Sequence, residues 1–157
     1  MRNKRLNIVL IILSVLVFLL LFLAKDKLTC FVTSYQLKNN DVVINKSDSI
    51  EFFKQFNNSQ NTYSYKLSLV ELGGFGCKPC MKMDTVLQEL EAIYKDGINI
   101  KTFRVTTDEG KAIAKYFGIN AIPTQIIIAR NGNEVFRHTG FLSKNDLEIE
   151  IKKTLKK

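Results

Sequence analysis

The chain has 157 residues, 46% of them hydrophobic and 24% charged, which is enough for one globular domain and an appendage and excludes a disordered chain. Its formal net charge is +8, but no aromatic side chains interleave with the basic ones, and this argues against a nucleic-acid-binding protein. The basic residues at the carboxyl terminus fit the solvated last turn of a helix instead.

The N-terminal segment carries the strongest hydropathy signal. Residues 6–24 contain no charged side chain, and a helix of this length spans about 28 Å, close to the thickness of a bilayer's hydrocarbon core. Arg2, Lys4 and Arg5 precede the apolar run, which predicts that residues 1–5 are cytoplasmic and that the rest of the chain lies outside the cytoplasm. We therefore predict an uncleaved, single-pass anchor in a bacterial cell membrane.

Two other interpretations of this segment stay open. A cleaved signal peptide would have a shorter apolar core and small residues before the cleavage point, whereas Phe22 stands two positions before Ala24. A lipoprotein would be acylated at Cys30, but the charged Lys27 separates that cysteine from the apolar core. We expect Cys30 to be a bystander thiol in a stem over residues 25–40.

Residues 41–157 are predicted to form one α/β domain. Apolar periodicity, helix caps and glycines indicate the elements in chain order. The first half has a strand over 42–45, a helix capped within 47–51, a strand over 66–72 and a helix over 78–94 closed by Gly97. The second half has a strand over 98–105, a helix over 108–117 ended by Gly118, a strand over 124–129, a turn at Asn131–Gly132, a strand over 133–138, and a helix from the cap at Ser143 to Leu155. The alternation indicates a parallel core sheet, and the final hairpin adds antiparallel strands. The fold class is therefore a mixed central sheet with flanking helices.

The chemistry is expected in Cys77-Lys78-Pro79-Cys80, at the junction of a buried strand and a helix. A cysteine at a helix N-terminus faces unpaired backbone N–H groups and the positive end of the helix dipole, and both stabilise a thiolate. Lys78 adds a positive charge, and Pro79 suits the first helical turn. The spacing predicts that Cys77 is an exposed nucleophile and that Cys80, one turn along and partly buried, resolves the mixed disulfide.

Other roles for the pair are less well supported. A structural zinc site needs four ligands, but there is no second cysteine pair and the single histidine, His138, lies in a predicted hairpin strand. A purely structural disulfide would close a loop too short to stabilise the fold much. We expect neither a metal nor another cofactor.

Several features in a fixed order resemble the thioredoxin family over roughly residues 66–153. They are a strand, Cys-x-Pro-Cys and a helix at 66–94, then Ile122-Pro123-Thr124 before an apolar strand, then an Asn-Gly turn, Gly140 and a closing helix. This resemblance implies a thioredoxin-like fold in which the peptide before Pro123 is cis and lies beside the redox pair. The backbone around Pro123 would then pair with an extended substrate segment.

The resemblance also implies a supporting acid. Glu71 stands six residues before Cys77, where the family often has a buried carboxyl with a raised pKa that accepts the proton of Cys80. Two positions depart from the family. Gly76 replaces the aromatic residue, usually Trp, before the first cysteine, so that Phe75 would supply part of that surface, and Thr85 stands near the proline that kinks the family's helix.

The function that this resemblance implies is thiol–disulfide exchange with protein dithiols and disulfides outside the cytoplasm. Lys78 adds a nearby positive charge that favours the thiolate. Because Pro79 and Glu71 are shared with typical reductants of the family, we predict a reductase that receives electrons from a membrane partner. The domain is expected to be monomeric. A disulfide-forming oxidase and a non-enzymatic accessory module of the cell envelope remain alternatives.

Overall fold

The computed structural model describes residues 7, 10–23, 32, 35, 42–59 and 65–156. The elements of its domain, labelled in chain order, are α1 (Lys46–Phe56), β1 (Leu67–Gly73), α2 (Lys78–Tyr94), a 3-10 turn (Lys95–Gly97), β2 (Asn99–Arg104), α3 (Asp108–Tyr116), β3 (Thr124–Ala129), β4 (Glu134–Thr139) and α4 (Lys144–Leu155).

The N-terminal segment is described only in part. Residues 10–23 are helical, and their large apolar side chains are exposed. Among the described positions, no helix combines the length and the apolar character required to cross a membrane. Cys30 and most of the predicted stem lie outside the described residues.

The sheet has four strands in the order β2-β1-β3-β4. β1 pairs in parallel with β2, whereas β3 pairs antiparallel with both β1 and β4. The mixed sheet is therefore as predicted, and its single βαβ crossover is formed by β1, α2 and β2. The carboxyl ends of β1 and β2 and the first residue of β3 lie at one edge, because Gly73 is in register with Arg104 and Leu72 with Thr124.

β1 is buried along its whole length, and its side chains alternate between two cores. Val70 and Leu72 belong to a cluster that also holds Phe56 of α1 and Ile113 of α3. Leu69 belongs to the opposite cluster, whose other members include side chains of α2 and α4 (Met83, Leu90, Leu147, Ile151). The sheet therefore lies between two helical layers.

The predicted strand over 42–45 does not form, and the structured domain begins with a helix. The predicted cap within 47–51 is also wrong. Asn45 is the N-cap residue, and its backbone N–H donates to Asp48 Oδ2 at 3.1 Å. The polar side chains therefore direct this segment into a helix start.

The other boundaries agree with the predictions to within a few residues. α2 spans the predicted range, but it passes into the 3-10 turn through Lys95, which has a φ of 43°, before Gly97 is reached. Gly118 has a φ of 63° and follows α3, as its predicted role requires. Ser143 caps α4 by accepting from the Asp146 N–H at 3.3 Å.

Candidate active site

The two cysteines lie where β1 passes into α2 through a glycine-rich turn. Gly76 has a φ of 71°, a conformation that side chains rarely adopt, and it turns the chain directly before the first cysteine. Cys77 is the N-cap residue of α2, and Pro79 stands in its first turn. The Met81 N–H donates to the carbonyl of Cys77 at 3.1 Å, so both sulfurs belong to the same helical turn.

Both cysteines are in the thiol form, and both are fully buried. The prediction that Cys77 is exposed is wrong, and Cys80 is buried more completely than predicted. Both belong to a core cluster that also includes Val105, from the segment after β2, and Ile122, from the segment before β3. The sequence around Cys77 predicts an exposed helix N-terminus, but side chains from distant parts of the sequence bury it.

The Ile122–Pro123 peptide is cis, as predicted. The Pro123 carbonyl accepts from the Gly140 N–H at 2.8 Å, and Thr124 Oγ1 donates to the carbonyl of Ala121 at 2.7 Å. Ile122, Pro123 and Thr124 are all buried. These contacts fix the segment at the sheet edge where β1 ends.

The predicted recognition residues differ in exposure. The Phe75 side chain is 68% exposed, and its ring centre lies 5.7 Å from the guanidinium carbon of Arg104. Lys78 is exposed, whereas Pro79 is half-buried. Phe75 and Lys78 therefore present an aromatic ring and a positive charge to solvent on either side of Cys77.

Glu71 is fully buried on β1, on the face that it shares with Leu69 by strand alternation. Burial raises the pKa of this carboxyl from 4.5 to about 8; Arg104 lowers the pKa, and Asp84 raises it further. Neither carboxyl oxygen has a hydrogen-bond partner among the described residues. The predicted burial and the predicted direction of the pKa shift are confirmed, while the role of Glu71 stays a prediction.

Gly73 makes room for this carboxyl. A Cβ atom at position 73 would lie 2.7 Å from Glu71 Oε1 and 2.9 Å from Arg104 Nη1, far closer than side-chain carbons approach other atoms. The Glu71 carboxyl and the Arg104 guanidinium therefore border the same space above the last residue of β1, directly before the turn that leads to Cys77.

Three further residues lie at this site that the sequence motifs do not include: Asp84, Arg104 and Gln125. Arg104 Nη2 donates to both carboxylate oxygens of Asp84 at 2.9 Å. Gln125 is fully buried beside Glu71 on β3, and its side-chain amide has no partner among the described residues. Asp84 stands seven residues after Cys77, which places the two residues on the same face of α2, two helical turns apart. This spacing is the one sequence feature that indicates a place for Asp84 near the cysteines.

The described residues contain no group of three or more His, Cys, Asp or Glu side chains that could hold a metal ion. The chemistry available at this edge of the sheet consists of two thiols in one helical turn, a buried carboxyl with a raised pKa, and an ion pair beside it.

A family model described as Thioredoxin matches residues 41–153. Among curated relatives, Thioredoxin 2 of Chlorobaculum tepidum is 37% identical over 82 residues, which cover 52% of this chain and 72% of the relative. Thioredoxin of Chlorobaculum thiosulfatiphilum is 37% identical over 88 residues, 56% of this chain and 79% of the relative. Thioredoxin 1 of Synechococcus elongatus is 32% identical over 87 residues, 55% and 78% of the two chains.

Solved structures show the same similarity. One is described as "Structural insights into thioredoxin-2: a component of malaria parasite protein secretion machinery"; it has a TM-score of 0.52 and 25% identity, covering 56% of this chain and 82% of the other. A second, described as "Structure of a malarial protein", has a TM-score of 0.52 and 26% identity, with coverages of 57% and 98%.

Proposed function

The chain belongs to the thioredoxin family, and from this premise we propose that it is a thiol–disulfide oxidoreductase that acts on protein dithiols and disulfides. The observation that carries the proposal is the position of Cys77 and Cys80 in the first turn of α2. Backbone N–H groups at a helix N-terminus stabilise a thiolate, which is the form that attacks disulfides.

The reaction in the reducing direction proceeds in two exchanges. The Cys77 thiolate attacks one sulfur of a substrate disulfide, so that a mixed disulfide forms and the other substrate sulfur leaves as a thiolate that takes up a proton. The Cys80 thiol then loses its proton and attacks the Cys77 sulfur. The second substrate thiol is released, and the electron pair of the two cysteines has passed to the substrate.

Glu71 is the proposed acceptor of the Cys80 proton. A base works best when its pKa lies near the pH of the reaction and near the pKa of the donor, and burial raises the pKa of Glu71 to about 8. A carboxylate whose pKa is raised in this way is a stronger base toward a thiol than an exposed glutamate. The Glu71 oxygens have no hydrogen-bond partner among the described residues, so the proton crosses after a side-chain rotation or through one bridging water.

Recognition of the substrate is assigned to the surface beside the pair. The exposed Phe75 ring offers apolar contact area, and Lys78 offers a positive charge. An extended substrate segment would pair with the backbone next to Pro123. Because Cys77 is fully buried, the side chains that cover it, including Ile122, must move to admit a substrate sulfur.

The proposal includes a location and a direction. Residues 6–24 anchor the chain in a cell membrane, with Arg2, Lys4 and Arg5 on the cytoplasmic side and the domain outside the cytoplasm; the charge-free run and its basic flank support this. The direction is reduction, supported by Pro79 and Glu71. A reductase outside the cytoplasm requires electrons from a membrane partner.

A measured reduction potential tests the proposal. The full chain carrying Cys30→Ser, in mild detergent, is equilibrated with glutathione buffers, and the fraction of the Cys77–Cys80 disulfide is read by thiol alkylation. We expect a midpoint near about −270 mV, the value of thioredoxin, whereas about −120 mV would identify an oxidase. A chain that forms no reversible disulfide at any ratio would leave only a binding module.

A further inference from the structure

The guanidinium of Arg104, at the end of β2, is surrounded by three groups, which come from α2, from β1 and from the turn between them. Nη2 lies 2.9 Å from both carboxylate oxygens of Asp84 on α2. The Phe75 ring lies 5.7 Å from the guanidinium carbon. The Glu71 carboxyl lies on the other side, across the space above Gly73. One cation therefore borders two carboxylates that are in different environments.

The two carboxylates do not share this cation equally. Asp84, with 29% of its side chain exposed, receives both hydrogen bonds, whereas the fully buried Glu71 receives none. A buried carboxylate gains more from an ion pair than an exposed one, because water screens it less. Arg104 therefore pairs with Asp84 and not with Glu71, the carboxylate that it would stabilise more.

We propose that Asp84 is a positioning residue, which holds the Arg104 guanidinium and so prevents it from forming an ion pair with Glu71. The inference rests on the proposed function, in which Glu71 accepts the proton of Cys80. If Arg104 turned to pair with Glu71, the carboxylate would become a weak base, because an opposite charge within ion-pair distance favours the ionised form.

The other groups around Glu71 do not supply this control. β3 places the neutral Gln125 beside it, and β4 places His138 one strand further away. α2 contributes Asp84, and α2 and α4 add apolar side chains to this face, whereas the two thiols belong to the other core cluster. Arg104 and Asp84 are the charged groups that act on the Glu71 carboxyl.

The alternative is that the Asp84–Arg104 pair only joins α2 to β2. Its members are 26% and 29% exposed, and pairs of this kind contribute little to stability. Such a role would leave only the direct effect of the Asp84 charge on Glu71, so replacing Asp84 would lower the pKa of Glu71 equally with and without Arg104. The titration therefore separates the two roles.

The test is a carbon-13 NMR titration of the glutamate carboxyl groups in the full, reduced chain in detergent, with the Glu71 signal assigned by its loss in Glu71→Gln. In Asp84→Asn we expect the pKa of Glu71 to fall by about 1 or more, because a negative charge is lost and Arg104 is released toward Glu71. In Arg104→Met we expect it to rise above about 8. Glu89→Gln is the control, since Glu89 is also on α2 and pairs with Lys144 at 3.0 Å.

A double variant shows whether Asp84 acts through Arg104. In the Arg104→Met background, replacing Asp84 by Asn should lower the pKa of Glu71 much less than in the wild-type background. An equal decrease in both backgrounds would overturn the proposal, and so would an Asp84→Asn titration that matches the control.

Measuring the rate of mixed-disulfide release distinguishes a failure of this proposal from a failure of the proposed function. With Asp84→Asn, the pH at which release reaches half its maximum should fall together with the pKa of Glu71. A chain with no exchange activity would overturn the proposed function, while the titration would still decide the role of Asp84. Normal exchange with an unmoved titration would overturn only the role of Asp84.

Discussion

Glu71 is a charged residue type in a fully buried position, and its protonation state follows from that position. Desolvation raises the pKa of its carboxyl to about 8, so at pH 7 most molecules carry a neutral Glu71. The fraction that is ionised increases as the pH approaches 8, and only the ionised form could accept a proton from Cys80 in the proposed reaction. The reaction should therefore speed up across this range.

Replacing Glu71 by Gln removes the proton acceptor and keeps the shape of the side chain. We expect release of the mixed disulfide to slow about 100-fold at pH 8, and the rise in rate toward pH 8 to disappear. Single-turnover rapid-quench measurements with a disulfide peptide report this step. Glu89→Gln should behave as the wild type, and unchanged release in Glu71→Gln would contradict the role of Glu71.

The same carboxyl makes stability depend on pH. Its pKa is about 8 in the folded chain and 4.5 when exposed, so between these values the folded state binds more protons and the free energy of unfolding falls as pH rises. The loss is absent below about pH 4.5 and complete above about pH 8, where it amounts to at most about 5 kcal/mol. Urea unfolding of the reduced protein from pH 5 to pH 9 should show this loss in the wild type and much less of it in Glu71→Gln.

The last residue of β1, Gly73, lies where a side chain would not fit. In Gly73→Ala, the new Cβ would lie 2.7 Å from Glu71 Oε1 and 2.9 Å from Arg104 Nη1, so both groups must move. We expect a loss of about 1–3 kcal/mol in the free energy of unfolding and slower exchange. Gly97→Ala is the control, because no atom lies within 4 Å of a Cβ there; equal effects in both variants would contradict the argument.

The sequence predicted those helices and strands whose formation depends on interactions between residues near one another in the chain. β3 spans the predicted range, Thr124–Ala129, and α2 follows its apolar periodicity from Lys78 to Tyr94. The strand over 42–45 was wrong because its few apolar residues say nothing about a partner strand, whereas Asn45 and Asp48 form a helix cap within the segment itself.

The candidate site was predicted where the family pattern applies and missed where contacts are distant in sequence. Cys77, Cys80 and the cis peptide at Pro123 follow from motifs. Cys77 is buried in a cluster that also includes Ile122, from the segment before β3, and the ion pair of Arg104 joins residues twenty positions apart. A single sequence does not show which side chains, distant along the chain, come together in these contacts.

The family match begins at residue 41, so the role of the first 40 residues does not follow from the family. Their apolar run carries no charge over residues 6–24, and basic residues precede it. A domain that reduces disulfides needs no such segment for its chemistry, since both cysteines and Glu71 lie within the matched range. We therefore propose that the segment determines where the chemistry takes place.

Deletion of residues 1–24 tests this division directly. We expect the full chain to sediment with membranes and to resist extraction by salt and by alkaline carbonate, whereas the truncated chain should remain in the supernatant with an unchanged midpoint potential. Sedimentation is followed by immunoblotting, and the potential by alkylation in glutathione buffers. A matched variant that keeps its length but carries Leu13→Lys and Leu16→Lys should also be released, because charges in the hydrocarbon core are costly. A truncated chain that stays with the membranes would show that the domain binds them by another route, and the anchor assignment would fail.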